Sequence, residues 1–445
     1  MKRWRSTRAV GPEATATFAE ALFHGPAPDG GLYIPAAAPR FDPAAIARTS
    51  HSFADTALRC ALALLGGEIP EHLLEEVVAE ALDFPVPLVP IDDDLHVLEL
   101  FHGPTSAFKD VGARFMAALM DRLDPDPGRP RLVLVATSGD TGGAVAHAFA
   151  GRPRFHVVVL FPERGVTAEQ RRLFTTLGGN VTAVAVQDSF DGCQALAKAA
   201  FGSGEAERLG LTSANSINVG RLMPQAFYYV DAVRQGAWDH SCVFSVPSGN
   251  LGNLTGGLIA AMAGLPVERL VASLNANDIF LRHLATGSAA RQPTLRTLSS
   301  AMDVGDPSNL ERLSALTGMR TAELRRWIWS AAFDDETTIA AMARCHREHG
   351  YLIDPHGAVG LLGAWAYRRD GEATSSARAP AVVLATADPA KLPEVVESAT
   401  GVRPTPSSAI ARALDREERA LRLHGDLTAL LELLDEVAGG RMVVT

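Results

Sequence analysis

Short, largely apolar runs alternate with helix-patterned segments through the middle of the chain, and this alternation constrains the fold more than any other feature. Leu132 to Ala136, Val157 to Phe161, Val181 to Val186, Cys242 to Val246, Leu270 to Leu274 and Ala381 to Ala385 read as strands. Ala144 to Ala150, Ser189 to Phe201, Arg221 to Ala237 and Gly256 to Ala263 read as helices, and Thr167, three residues before Gln170, has capping-box spacing. Strands that are apolar on both faces need cover on both faces, which argues a parallel α/β sheet flanked by helices. Ligands of such sheets bind beyond the C-terminal ends of the strands.

The flanking regions read differently. Residues 1 to about 90 suit short helices separated by turns, with a turn at Asp29-Gly30-Gly31 and an extended piece from Leu32 to Pro35. Leu73, Leu74, Val77, Val78 and Leu82 predict a helix over 65–82, and the proline cluster from Pro85 to Pro90 makes a boundary. Residues 295–375 and 410–437 read as mainly helical, and Asp370 to Pro380 as a surface loop.

Composition excludes several classes. A chain of 445 residues that is 47% hydrophobic and 21% charged is globular, with length for about two to four domains. A net charge of -10 lacks the basic face that a duplex-binding protein needs, so no nucleic-acid partner is expected. No apolar stretch is long enough to span a bilayer. Cys60, Cys193, Cys242 and Cys345 are too far apart for a disulfide framework or a zinc ribbon, so a reducing compartment, the cytoplasm, is expected. The basic start Met1 to Arg5 leads to Gly11-Pro12-Glu13 and not to an apolar segment, so no secretory signal is expected.

Three strand-to-helix loops could carry chemistry. Thr137-Ser138-Gly139-Asp140-Thr141-Gly142-Gly143 offers hydroxyls and backbone N–H groups to a carboxylate or phosphate. Pro247-Ser248-Gly249-Asn250-Leu251-Gly252-Asn253 occupies the same position, with glycines that let backbone approach an anion. Neither has dinucleotide or Walker A spacing, and ordinary turn punctuation is the alternative for each. The third is Ala385-Thr386-Ala387-Asp388-Pro389.

Lys109 follows Phe101 to Phe108 and opens a helix marked by Val111, Phe115, Ala118 and Leu119. An ammonium there opposes the helix dipole, and a disfavoured ammonium is what a Schiff-base lysine requires. Composition alone favours a solvated surface lysine. Asn215 to Arg221 gathers amides, a hydroxyl and a guanidinium suited to a phosphate, or to a plain helix-capping turn. Cys345-His346-Arg347-Glu348-His349 has no second ligand cluster and reads as a solvated helix face, so no metal is expected.

Taken together, the chain resembles the threonine synthase family of pyridoxal-phosphate enzymes of fold type II. The resemblance rests on Asp29 to Tyr33, His102-Gly103-Pro104-Thr105 with Ala107 to Asp110, Thr137 to Gly142, Ser213 to Asn218 with Arg221, Pro247 to Asn253, Ala301 to Val304 and Asp354 to His356, in that order. It implies that Lys109 carries the cofactor and moves protons. Gly249, Asn250, Leu251, Gly252 and Asn253 would hold the cofactor phosphate, and Thr386 would bond the pyridine nitrogen. Thr105, Ser138, Gly139, Asp140 and Thr141 would hold substrate, the last four through its α-carboxylate, and Ser216, Asn218 and Arg221 would meet its phosphate.

The implied substrate is O-phospho-L-homoserine, converted with water to L-threonine and phosphate. The implied fold is α/β with two parallel or mixed sheets flanked by helices. An N-terminal extension would span 1–90, a small mobile domain 126–229, and a large cofactor domain 91–125 and 230–445, in a monomer or homodimer. Asp388 departs from the family, which often has histidine there near the cofactor ring. It keeps open a related phospho-lyase or replacement enzyme that acts on O-phosphohomoserine or a phosphonate analogue.

Overall fold

A computed structural model describes residues 4–9, 11, 15–37, 41–126, 128–238, 240–288, 290–370 and 379–440. It holds two open sheets and a small antiparallel one. The five-stranded sheet runs Leu421–Leu423, Val181–Val186, Phe155–Pro162, Arg131–Ala136, Leu211–Ser213, all parallel. The six-stranded sheet runs Ile328–Ala332, Val267–Leu274, Cys242–Pro247, Ala381–Ala385, Leu95–Glu99, Leu88–Asp92. Only its last pair is antiparallel. Pro90 is tolerated there because an edge strand needs hydrogen-bond donors on one side only.

Side chains of period two send each strand's residues into different cores. Val133 and Val135 join the main core, whereas Leu132 and Leu134 face a second one built with Leu196, Leu430 and Leu434. The main core reaches from Phe53, Ala57, Leu74 and Val77 of the N-terminal helices through Phe115 and Met120 to Leu270 and Phe244. A third core lies on the other face of the larger sheet, where Val97, Val243 and Val383 meet Met342, Leu361 and Tyr367.

The middle strands and helices stand within a few residues of the sequence reading, and Thr167 caps Ala168–Thr175 by accepting from the Gln170 N–H. Elsewhere the structure differs. The helix expected over 65–82 is Glu71–Ala81, preceded by a separate helix Phe53–Leu65, because Pro70 breaks the chain between them. The 295–375 region contains the strand Ile328–Ala332, and 410–437 contains Leu421–Leu423. Both are edge strands of a few residues, set by pairing with distant strands and not by local periodicity. Consequently residues 421–438, expected with the larger unit, pair and pack with the smaller sheet. Most of the expected surface loop at Asp370 to Pro380, and the residues 1–3 and 12–14 of the N-terminal reading, lie outside the described residues. Among the described residues no helix is long and apolar enough to cross a membrane.

Candidate active site

The parallel strands of both sheets end at one cavity of about 460 Å3. Lys109, Ser138, Asp140, Thr141, Ser216, Arg221, Gly249 to Asn253 and Thr386 all line it. Thr105, Gly139 and Asn218 do not.

Lys109 is the first residue of the helix Lys109–Leu123. Its direction is set by a closed turn. The Thr105 N–H and hydroxyl donate to the Asp110 carboxylate at 2.8 and 2.6 Å, and Ser106 takes a left-handed φ of 52°. Thr105, fully buried, is thereby spent on the turn. Lys109 Nζ stands 3.5 Å from Asp140 Oδ2. Burial pushes its pKa down, Lys391 and Arg221 add to that, and Asp140 opposes it. Desolvation, more than the helix end, is what disfavours its ammonium.

Asp140 opens the helix Asp140–Phe149 and is almost fully buried. Its Oδ1 accepts from Lys391 Nζ at 2.9 Å and from Gln170 Nε2 at 3.1 Å. Burial works to raise its pKa, but the ammonium groups of Lys391 and Lys109 outweigh this and hold it well below the usual range. The side chain of Asp140 thus serves the lysines, while Ser138 and Thr141 line the cavity beside it. Gly139 has φ +142°, donates its N–H to Thr137 Oγ1, and packs where a Cβ would fall 2.7 Å from Gln170.

The loop after Cys242–Pro247 leads into the helix Gly252–Met262. A Cβ on Gly249 would lie 2.6 Å from Met302 Cα, so only glycine fits. Leu251 holds the left-handed region at φ 60°, a strained setting of the kind found at ligand sites. Asn250 donates to Ser216 Oγ at 2.6 Å and accepts from the Ser308 N–H at 2.6 Å. Asn253 Oδ1 accepts from both Tyr228 and Tyr229 hydroxyls, and its buried Nδ2 has no partner.

On the opposite wall, Arg221 is 3% exposed and donates from Nη1 to the Ala214 carbonyl at 2.7 Å. Its buried Nε has no partner, and neither has Gln225 Oε1, also on the wall. Burial pushes the Arg221 guanidinium down to about 10, with Asp110 opposing. Ser216 Oγ accepts from Asn250 and, at 3.4 Å, from Asn309, which leaves its own proton to donate. Asn218 has no such freedom. It is the N-cap of Val219–Leu222, accepts from the Gly220 N–H, and donates to the carbonyls of Leu22 and Ser213. Its side chain is committed to this capping role and stands off the cavity lining.

Four contributors were given no role by the sequence reading. Lys391, Asn309 and Arg312 act from behind the cavity wall. His356 lines the wall and accepts the Ala301 N–H at Nε2 (3.0 Å), while Nδ1 bonds Asp354 (2.5 Å). Asp388 does not line the cavity. It caps the turn Pro389–Lys391 by accepting from the Ala390 N–H, and so presents Lys391 to Asp140. Burial raises its carboxyl. Among the described residues no group of three His, Cys, Asp or Glu side chains is placed to hold a metal.

Residues 85–387 match the family "Pyridoxal-phosphate dependent enzyme", residues 3–82 match "Threonine synthase N terminus" and residues 358–433 match "Threonine synthase, C-terminal". The chain is 41% identical to threonine synthase of Escherichia coli (strain K12), over 94% of this chain and 96% of that protein. The chain belongs to the threonine synthase family. Its fold is similar to the PLP-bound threonine synthase of Brucella melitensis, with a TM-score of 0.89 and 36% identity over 98% of this chain and 100% of that one. It is also similar to the yeast threonine synthase, with a TM-score of 0.87 and 29% identity over 99% of each.

Threonine synthases are lyases that use pyridoxal 5'-phosphate, and the residues of this chain fit that cofactor. A helix N-terminus, a glycine with no room for a Cβ and the unpartnered Asn253 Nδ2 together form a cradle of the kind that suits a phosphate. A buried lysine with a depressed pKa stands across the same cavity.

Proposed function

We propose that this chain converts O-phospho-L-homoserine and water to L-threonine and phosphate. The observation that carries the reading is the buried Arg221, its Nε unpartnered, sharing a cavity with Lys109 and the Gly249–Asn253 cradle. One cavity thus offers two separate anion sites and one amine. When bound, the cofactor supplies the electron sink that makes Cα and Cβ protons acidic.

The chain's residues divide the remaining work. Gly249 to Asn253 hold the cofactor phosphate, and Thr386 offers a neutral hydroxyl to the pyridine nitrogen. Ser138 and Thr141, with the backbone N–H groups at the start of Asp140–Phe149, take the substrate carboxylate. Ser216 donates to the substrate phosphate, and Arg221 supplies positive charge where that phosphate departs. Lys109, as amine, accepts and returns protons beside the reacting carbons.

The cavity is lined from both larger sheets, which supports closure of the smaller unit, about 126–229 with 421–438, onto substrate. The acidic chain works in the cytoplasm, without nucleic acid, as a monomer or homodimer.

The test is incubation of the PLP-loaded protein with O-phospho-L-homoserine, with phosphate, threonine and 2-oxobutanoate assayed together. Equal phosphate and threonine, both lost in Lys109→Ala, are expected. 2-Oxobutanoate in place of threonine would make it a lyase that stops at elimination. That alternative drew on Asp388, which stands off the cavity and caps a turn.

A further inference from the structure

Two buried lysines share one carboxylate at the reacting end of the cavity. Lys391 is 1% exposed and places Nζ 2.9 Å from Asp140 Oδ1. Lys109 is held at 3.5 Å from Oδ2 of the same group. Gln170 takes a further position on Oδ1, so Lys391 and Gln170 fix the carboxylate's rotation. Asp388 caps the turn that carries Lys391, and Thr167 donates to the Lys391 carbonyl at 3.0 Å. This support is on the scale of the site itself, although Lys391 does not line the cavity.

We propose that Lys391 is a positioning residue: by occupying Asp140 it withholds that carboxylate from Lys109 and leaves Lys109 as the amine. The proposal rests on the reading of Lys109 as the proton-moving group. The argument is charge balance in a dry volume. Two ammonium groups against one carboxylate leave an excess positive charge, which is costly to bury. The nearer lysine keeps the ion pair, and the farther one sheds its proton at least cost. Arg221 from the helix Val219–Leu222 adds to the excess, and His356 at the start of Pro355–Asp370 also faces Asp140. Burial raises the carboxyl of Asp110, next to Lys109 in sequence, Thr105 opposes this, and both of its oxygens are already occupied by the Thr105 N–H and hydroxyl. Without Lys391, Asp140 would turn wholly to Lys109 and stabilise its ammonium.

The test reads Lys109 directly. The full-length chain is freed of cofactor and labelled with trace acetic anhydride across the pH range in which amines titrate. Acetylation of the Lys109 peptide is then quantified by mass spectrometry. Lys391→Met is expected to slow labelling of Lys109 at neutral pH about tenfold and to move its pH midpoint upward. Asp140→Asn is expected not to slow it. The double variant Asp140→Asn/Lys391→Met, which restores charge balance and guards against a folding defect in the single one, is expected to return near the parent value. A merely structural Lys391 would lower thermal stability but leave the Lys109 midpoint in place. Unchanged labelling in Lys391→Met, or a double variant as slow as the single, would overturn the proposal. The labelling does not depend on which amino acid is the substrate, so failure of the proposed reaction would appear only in the product assay.

Discussion

The guanidinium of Arg312 donates to the carbonyl of Ser216 at 3.0 Å, although the two residues lie 96 positions apart. Arg312 is fully buried, and its other hydrogen bonds go to the carbonyls of Tyr33 and Ile217 and to Asn309 Oδ1. Among the described residues it has no carboxylate partner, and Glu311 is engaged by Arg8 and Thr7. Burial pushes its pKa down to about 9, with Glu311 opposing. One cation thus ties the N-terminal extension, through Tyr33, to the segment that presents Ser216.

Arg312→Met should strand several buried acceptors at once. A loss of at least about 3 kcal/mol is expected in urea unfolding, given the cost of each unpaired buried polar group. Because Ser216 would lose its backing, the folded remainder should show a raised KM for phosphohomoserine with a smaller change in kcat. An equal fall in kcat with KM unchanged would place Arg312 outside substrate binding.

Gly249→Ala should separate cofactor affinity from overall folding. The new Cβ would meet Met302 Cα at 2.6 Å and the Met302 carbonyl oxygen at 3.0 Å. That backbone cannot yield freely, because the adjacent Ala301 N–H is held by His356. Overpacking of this kind costs about 1–3 kcal/mol, so PLP affinity should fall about five- to 150-fold in equilibrium dialysis. Gly143→Ala is the control: its Cβ would have 3.5 Å to the nearest atom, and PLP affinity should stay near the parent value.

Six of the parallel strands were legible in the sequence because each is a largely apolar run, buried on both faces, as at Val157–Leu160. The cavity followed from what comes after those strands. What the sequence could not show was the state of each polar side chain once buried. Ser216 and Asn218 sit two residues apart with similar chemistry, yet one faces the cavity and the other is consumed as an N-cap. Lys391 and Arg312 lie far in sequence from the groups they serve, and no local period marks them. The short strands Ile328–Ala332 and Leu421–Leu423 were illegible for the same reason, since their pairing is non-local.

That contrast gives a direct comparison. Asn218→Ala should lose about 1–2 kcal/mol of stability through its lost cap and the unpaired carbonyls of Leu22 and Ser213. Its KM for phosphohomoserine should stay within about twofold of the parent. Ser216→Ala should do the reverse. Loss of a hydrogen bond to a charged group is worth about 1.5–3 kcal/mol, so KM should rise at least about tenfold with little change in thermal midpoint. A raised KM in Asn218→Ala would return that residue to the substrate site.

Asp140 sets a sign for the acid dependence of stability. The Lys391 and Lys109 ammonium groups, against the opposing effect of burial, hold its native pKa below the ordinary aspartate value of 3.8. Between those two pKa values the unfolded chain binds a proton that the native chain does not, so stability falls as pH falls through that window. Above the ordinary aspartate range the contribution is fully present and flat. Asp140→Asn lacks the titrating group, so the stability gap between parent and variant should be constant near neutrality and should close on acidification below about pH 4. Urea unfolding at a series of pH values measures this gap. A gap that widens in acid would mean that Asp140 is already protonated in the native chain, and the ion pair with Lys391 would then have to be read as a neutral hydrogen bond.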